Sequence, residues 1–342
     1  MSNPAISIVT PVWNGLPYIK ETITSVLSQP FQDWELLVGD NGSTDGTIEY
    51  LKSLDDQRIN IHYHEKNLGI FGNLNFLLGR ARAPVSYILC ADDFFLPGKL
   101  DLVVHQWENQ PDEIASIRFN LADINSSKCE CVKLQKLKLP RTLQPSQSDL
   151  FFFLFGNIAG NLANMSVRTQ RVSEVGWFDT NLPYAGDFDF WVRLTRRYPM
   201  FISDEDVVYV RRHAGTASNY LNTKGELIPQ THRIVKDLFT RLASTNSRFL
   251  LRLYATANYD ALARHTAVKK WLKDRDDSHL VEVNRVASSS TLYLRWLSRW
   301  AVYFLTGGGH WGRASIAKII LKSNERPFLA FGRFFKAKPE RN

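Results

Sequence analysis

The first hundred residues alternate short apolar, β-branched runs with stretches of helical spacing, and few architectures accept that alternation. Ile6–Thr10 is an apolar run stopped by Pro11, and Tyr18–Ser28 then sets Ile19, Ile23, Val26 and Leu27 at helical spacing. Glu35–Gly39 is a second apolar run, ended by the turn-rich Asp40-Asn41-Gly42-Ser43-Thr44-Asp45-Gly46, with a helix expected from Thr47 to Leu54. Ile59–His64 and Val85–Cys90 read as further strands, with a helix at Asn73–Ala81 between them. Strands alternating with helices of this length predict a parallel, three-layer α/β sheet. Ligands bind such sheets beyond the C-terminal strand ends, where Thr10-Pro11, Asp40-Asn41 and Asp92-Asp93 fall.

The pattern weakens after residue 94. Lys128–Leu139 alternates like an edge hairpin, Arg141–Ser148 reads as a loop, and Asn161–Val167 as a strand. Phe188–Arg197 reads as a helix with Phe190, Trp191 and Leu194 inward. Beyond about Pro229, long helical stretches rich in Arg, Leu, Trp and Tyr take over. The expected division is a domain over 1–229, with halves of about 1–100 and 101–229, and a helical region over 230–342.

Composition narrows the function classes. A chain of 342 residues with 44% hydrophobic and 22% charged content can bury a large core and is not of the disordered type. Cys90, Cys129 and Cys131 form no disulfide framework, and an odd count with a Cys-x-Cys pair fits a reducing compartment. No second Cys/His pair stands at zinc-finger spacing. The start MSNPAISIVTPVWN has no signal-peptide pattern, and no stretch nears the roughly 18–20 apolar residues of a membrane span. The net charge of +8 is unevenly spread: residues 1–230 carry −5 and residues 231–342 carry +13. That split suggests an anionic partner for the C-terminal part.

Adjacent carboxylates directly after the apolar strand Val85–Leu89 are costly unless a cation or hydrogen-bond donors compensate them. Hard oxygen ligands there suit Mg²⁺ or Mn²⁺, while the plainer reading of Asp92 or Asp93 is a helix cap. Asp40 at the end of the second strand is placed to accept a hydrogen bond from a pyrimidine N–H or a ribose, and Asp45 reads better as a cap for the next helix. Asp187 and Asp189, ahead of an amphipathic helix, also fit simple capping.

Taken in order, these segments resemble the GT-A-fold glycosyltransferase family 2. The matching elements are Ile8-Val9-Thr10-Pro11-Val12-Trp13-Asn14, Val38-Gly39-Asp40-Asn41-Gly42-Ser43-Thr44-Asp45, Asn67-Leu68-Gly69, Leu89-Cys90-Ala91-Asp92-Asp93, and Gly176-Trp177-Phe178-Asp179 followed by Gly186-Asp187-Phe188-Asp189-Phe190-Trp191. The resemblance covers about residues 5–215. It implies a Rossmann-like, three-layer α/β/α mixed sheet with a helical C-terminal extension. It implies an inverting transfer from a nucleotide sugar, with UDP the expected nucleotide, to a saccharide or lipid-linked saccharide acceptor in cell-surface polysaccharide synthesis. Thr10, Pro11, Trp13, Asn14, Asp40, Asn67 and Asp92 would bind the donor, with Trp13 stacking on its base. Asp93 and His213 would hold the Mn²⁺ or Mg²⁺, and Asp187 would be the catalytic base. Asp189 is read as structural. Three positions depart from the family pattern: Cys90 replaces the first Asp of Asp-x-Asp-Asp, Asn41 the second carboxylate after strand two, and Gly186 the Glu that often precedes the base.

The same residues bear on one other enzyme class and on two binding roles. A sugar-phosphate nucleotidyltransferase needs a Gly-rich, basic loop after the first strand, and Pro11-Val12-Trp13-Asn14-Gly15 has one Gly and no cation before Lys20. A homologue that binds nucleotide sugar without catalysis keeps the same motifs. Nucleic acid is not an expected partner, because the basic residues lie in the tail while the expected site is acidic. In that tail, Thr291–Leu305 has no helix breaker and sets Tyr293, Trp296, Leu297, Trp300 and Phe304 on one face, with Arg295, Ser298 and Arg299 on another. Phe328, Phe331, Phe334 and Phe335 repeat the theme among basic residues. Either that face packs on the catalytic domain, or it lies on an anionic membrane surface. The expected location is cytoplasmic, peripheral on the inner face of the plasma membrane.

Overall fold

A computed structural model describes residues 3–122, 139–211, 223–242 and 248–331. The chain divides into two compact units, Met1–Leu221 and Asn222–Asn342. His213, Cys129, Cys131 and almost all of the expected hairpin at Lys128–Leu139 lie outside the described residues, as do the side chains of Phe328, Phe331, Phe334 and Phe335.

The first unit is built on β1 (Ile6–Val12), β2 (Trp34–Asp40), β3 (Ile59–Tyr63), β4 (Val85–Ile88), β5 (Phe94–Phe95), β6 (Ser116–Ala122), β7 (Thr142–Leu143), β8 (Met165–Arg168) and β9 (Met200–Tyr209). Among the described residues these make one sheet in the order β3-β2-β1-β4-β8-β6-β9-β5, with β7 also on β9. The strands β3, β2, β1 and β4 run parallel. Both neighbours of β8 are antiparallel to it, so the sheet as a whole is mixed. Every residue of β1, β2 and β4 is buried, which requires cover on both faces and therefore three layers. Ile6, Ile8, Leu36, Val38 and Tyr87 pack with Ile19 and Ile23 of the helix Tyr18–Leu27. Each such side chain contributes about 1.5–3 kcal/mol on burial. On the opposite face of the sheet, buried Glu35 accepts from the Ser7 hydroxyl at 2.6 Å and from Arg82 at 2.7 Å, so its charge is compensated.

Two expectations change. Arg141–Ser148 is not a loop: Thr142–Leu143 is a strand and a helix runs from Pro145 to Phe155. Gln144 and Gln147 form a reciprocal capping box around Pro145, which can open a helix because its missing N–H is not needed there. Asn161–Val167 is a strand only from Met165. Its first part is a 3₁₀ turn, capped by the Asn161 side chain accepting from the Ala163 N–H.

In the second unit the described helices are Leu227–Leu242, Arg248–Ala255, Leu262–Asp274, Ser278–Ser289, Trp296–Leu305 and Arg313–Phe331, with a π-helical turn at Thr256–Ala261. Pro229 stands in the first turn of the first of them, where proline is tolerated. A buried pair, Arg264–Asp260 at 3.0 Å, is completed by Asn284 accepting from Arg264 at 2.6 Å, which joins two helices. Among the described residues, no helix is long and apolar enough to cross a membrane. The expected helix from Thr291 begins only at Trp296, and Tyr293 is buried beside His232 rather than on the exposed aromatic face.

Candidate active site

Because β1, β2 and β4 are parallel, their C-terminal ends share one edge. Asp40 lies opposite Val12 there, and the Leu89 N–H still reaches the Val9 carbonyl at 3.0 Å. Asp40 is fully buried. Its Oδ2 accepts from the Gly42 and Ser43 N–H groups, both at 3.0 Å, in a turn that Gly42 enters at φ +75°. Its Oδ1 and the Thr10 Oγ1 are buried polar atoms with no hydrogen-bond partner among the described residues. Such atoms carry a desolvation cost of about 1–3 kcal/mol each, which a ligand donor would relieve.

The loops around them are laced together. The Asn14 N–H donates to Ser43 Oγ at 2.7 Å and the Thr44 N–H to Asn14 Oδ1 at 2.8 Å. Asn14 holds φ +50°, a left-handed geometry that Asn adopts more readily than most residues. Asp45 accepts from the Thr47 N–H in the first turn of the helix Thr47–Lys52, whose N-cap is Gly46 rather than Asp45, and from the Leu16 N–H of the neighbouring loop. Asn41 accepts from the Leu68 N–H and donates to the Gly69 carbonyl, and Asn67 closes the same turn by accepting from the Gly69 N–H at 2.8 Å. An amide at 41 does what a carboxylate could not, because it both accepts and donates. Trp13 is half exposed at the rim, and Pro11 is buried in β1.

After β4 the chain turns at Cys90-Ala91-Asp92-Asp93. Ligand atoms of Cys90, Asp92 and Asp93 all lie within 4.8 Å of one another. Burial, with Asp92 beside it, pushes the Asp93 carboxyl up to about 8 although it accepts from the Arg211 N–H at 2.9 Å. Burial and the charges of Asp93, Asp92 and Asp187 hold the Cys90 thiol far above its ordinary value, so it stays protonated. A dication would offset the charge that burial penalises. The two carboxylates suit a hard ion such as Mn²⁺ or Mg²⁺.

Asp187 opens the helix Gly186–Arg197, and its charge is one of those that raise the Cys90 thiol. Burial pushes its carboxyl up to about 6, against the Asn157 Nδ2 donating to Oδ2 at 2.8 Å. Asn157 and the Arg211 main-chain N–H are site groups the sequence did not single out. Asp189 is turned away into an ion pair with Arg193 at 2.7 Å, and Arg193 also donates to the carbonyls of Val175, Gly176 and Trp177. The segment Gly176–Asp179 is therefore scaffold: Phe178 stacks on Phe190 at 4.0 Å and exchanges main-chain hydrogen bonds with the Asn75 side chain. At Gly186 a Cβ would stand 2.7 Å from the Phe71 ring, so no Glu fits there.

Residues 7–168 match the family model described as Glycosyl transferase family 2. The chain is 27% identical over 220 residues to an uncharacterized glycosyltransferase, RP339, of Rickettsia prowazekii, covering 64% of this chain and 67% of that one. It is 37% identical over 100 residues to the putative teichuronic acid biosynthesis glycosyltransferase TuaG of Bacillus subtilis, covering 29% and 40%. Among solved structures it resembles S. aureus TarS 1–349 in complex with UDP, with TM-score 0.51, 15% identity and coverage of 84% and 92%. It also resembles the mannosyltransferase PcManGT of Pyrobaculum calidifontis in complex with GDP-Man and Mn²⁺, with TM-score 0.51, 14% identity and coverage of 95% and 87%. At those identities the structural likeness is one of fold. Over residues 7–168 the chain matches glycosyl transferase family 2, and it is a glycosyltransferase of GT-A fold.

Proposed function

We propose that the chain transfers a sugar, with inversion, from a UDP-sugar to a hydroxyl of a saccharide or lipid-linked saccharide in cell-surface polysaccharide synthesis. The observation that carries this reading is Asp187, a buried carboxylate with pKa raised to about 6, whose charge reaches the Cys90 thiol that clusters with Asp92 and Asp93 after β4. A group ionised just below neutral pH is matched to taking a proton from an attacking hydroxyl. The hydroxyl oxygen would bond to the anomeric carbon as the bond to the diphosphate breaks on the opposite face, and Asp187 would receive the hydroxyl proton. Asp92 and Asp93 would hold a divalent ion that neutralises charge on the leaving diphosphate. Asp40 Oδ1 and Thr10 Oγ1 supply unsatisfied acceptors for the base or ribose, and Trp13 an exposed ring to stack on it. UDP as nucleotide is supported by the TarS complex, a metal by the Mn²⁺ in PcManGT, and an envelope polysaccharide by the TuaG relationship. With that acceptor class, the enzyme would work at the inner face of the plasma membrane.

A thermal-shift comparison of UDP, GDP and dTDP, each with and without Mn²⁺, tests the donor assignment, because a ligand at 100 times its Kd stabilises by about 2.7 kcal/mol. UDP with Mn²⁺ should give the largest shift. NMR of the product's anomeric proton should then show configuration opposite to the donor's, and retention would refute the single-displacement reading.

A further inference from the structure

The helix Trp296–Leu305 of the second unit is turned inside out. Its cation points inward, with Arg299 donating to the Ala287 carbonyl at 2.6 Å, and Val302 is its buried side chain. Outward it presents Trp296, Leu297, Phe304 and Leu305, each between 62% and 81% exposed. Trp300, stacked on Phe304 and 5.3 Å from the Arg264 guanidinium, fixes the helix to its unit. In the glycine-rich turn that follows, the Trp311 ring lies so close to Gly307 that a Cβ there would come within 3.1 Å of it, and Trp311 is 71% exposed. A helix facing water alone places its charges outward and its apolar residues inward. An exposed apolar patch of this kind marks an interaction surface.

Charge says what covers it. From Val283 to Asn324 the sequence has six Lys and Arg residues and no Asp or Glu. Arg295, Lys318 and Lys322 of this set are exposed in the unit that carries the aromatic face. Two copies meeting through such a face would bring like charges together, so the partner has to be anionic. Tryptophan prefers the headgroup zone of a bilayer, where its ring is half apolar and half hydrated. At about 1.5 Å per residue the helix is roughly 15 Å long, too short to cross a bilayer and suited to lying in its plane.

We infer that the face formed by Trp296, Leu297, Phe304, Leu305 and Trp311, in a unit that also exposes Arg295, Lys318 and Lys322, docks on an anionic lipid surface at headgroup depth. This deepens, and in that respect rests on, the membrane location proposed above. It does not depend on the sugar chemistry.

The test is flotation of the full chain with vesicles of phosphatidylcholine alone or mixed with phosphatidylglycerol. Binding is expected to the mixed vesicles only, and to fall in 1 M salt, where the Debye length shrinks to about 3 Å. Trp296→Ala with Trp311→Ala should reduce vesicle binding at least tenfold with the melting temperature unchanged. Arg295→Glu with Lys318→Glu, which removes no apolar side chain, should do the same. Wild-type binding that survives both variants would overturn this face while leaving the membrane location standing. A fall in melting temperature with vesicle binding intact would overturn it in favour of packing within the molecule. A dimer in sedimentation velocity that the Trp variant dissociates, with no vesicle binding, would overturn it in favour of a second copy. No vesicle binding by the wild type would overturn both the face and the membrane location, and leave transfer to a free saccharide to be assayed on its own.

Discussion

Asn157 donates a hydrogen bond to Asp187 from 2.8 Å, across 30 residues of sequence. The same amide nitrogen donates to the Gly160 carbonyl at 3.2 Å, so the side chain is held from its own loop and holds the carboxylate in turn. A donor to a carboxylate favours its charged form and lowers its pKa.

Asn157→Ala removes that donor. We predict that the Asp187 pKa rises above about 6. A base works only when ionised, so the acid limb of kcat/KM should move to higher pH, by roughly half a unit to one unit. Activity lost at pH 6.5 should return in part by pH 8.5. A uniform loss at every pH, with the limb unmoved, would reduce Asn157 to a structural role.

The Asp93 carboxyl, raised to about 8, bears on metal affinity. The proton must leave before the ion binds, so the apparent affinity for Mn²⁺ should tighten as pH rises toward about 8 and level off above it. Asp93→Asn keeps an acceptor for the Arg211 N–H but loses the charge. It should cut turnover by about 100-fold, the scale of losing a principal electrostatic stabiliser. Full wild-type activity in EDTA would refute a metal-dependent step.

Gly186→Ala should destabilise the first unit by about 1–3 kcal/mol, the range for overpacking, because its Cβ meets the Phe71 ring at 2.7 Å and the Asp179 carbonyl at 3.1 Å. Phe71→Leu in the same chain should restore part of the loss. A Gly186→Ala protein as stable as wild type would mean that the ring moves aside freely.

The parts of the site that were legible in the sequence stand where a strand ends. Asp40, Asp92 and Asp93 follow apolar runs whose period is easy to read, and a parallel sheet brings such ends to one edge. Asp187 was legible through its spacing to Gly176-Trp177-Phe178-Asp179, although the structure gives that segment a scaffolding part. Asn157 was not, since its contact depends on a turn between distant helices. The Arg211 contact is a main-chain N–H, which leaves no trace in residue identity. The helix expected from Thr291 misled for a local reason. The Leu292 and Leu294 N–H groups are taken by the Ser290 and Thr256 hydroxyls, so the helical ladder does not form until Trp296. At Arg141–Ser148, polar composition suggested a loop, but Gln144, Pro145 and Gln147 are the start signals of a helix.

The most direct test is Asp187→Asn, which keeps the size of the side chain and cannot accept the acceptor's proton. UDP with Mn²⁺ should raise the melting temperature of the variant as much as that of wild type. Product formation from UDP-sugar should fall by between about 100-fold and 10,000-fold, the range for a general base, with the loss in kcat rather than in donor KM. A variant that turns over normally, or one that loses UDP binding while keeping kcat, would contradict the assignment of Asp187 as the base.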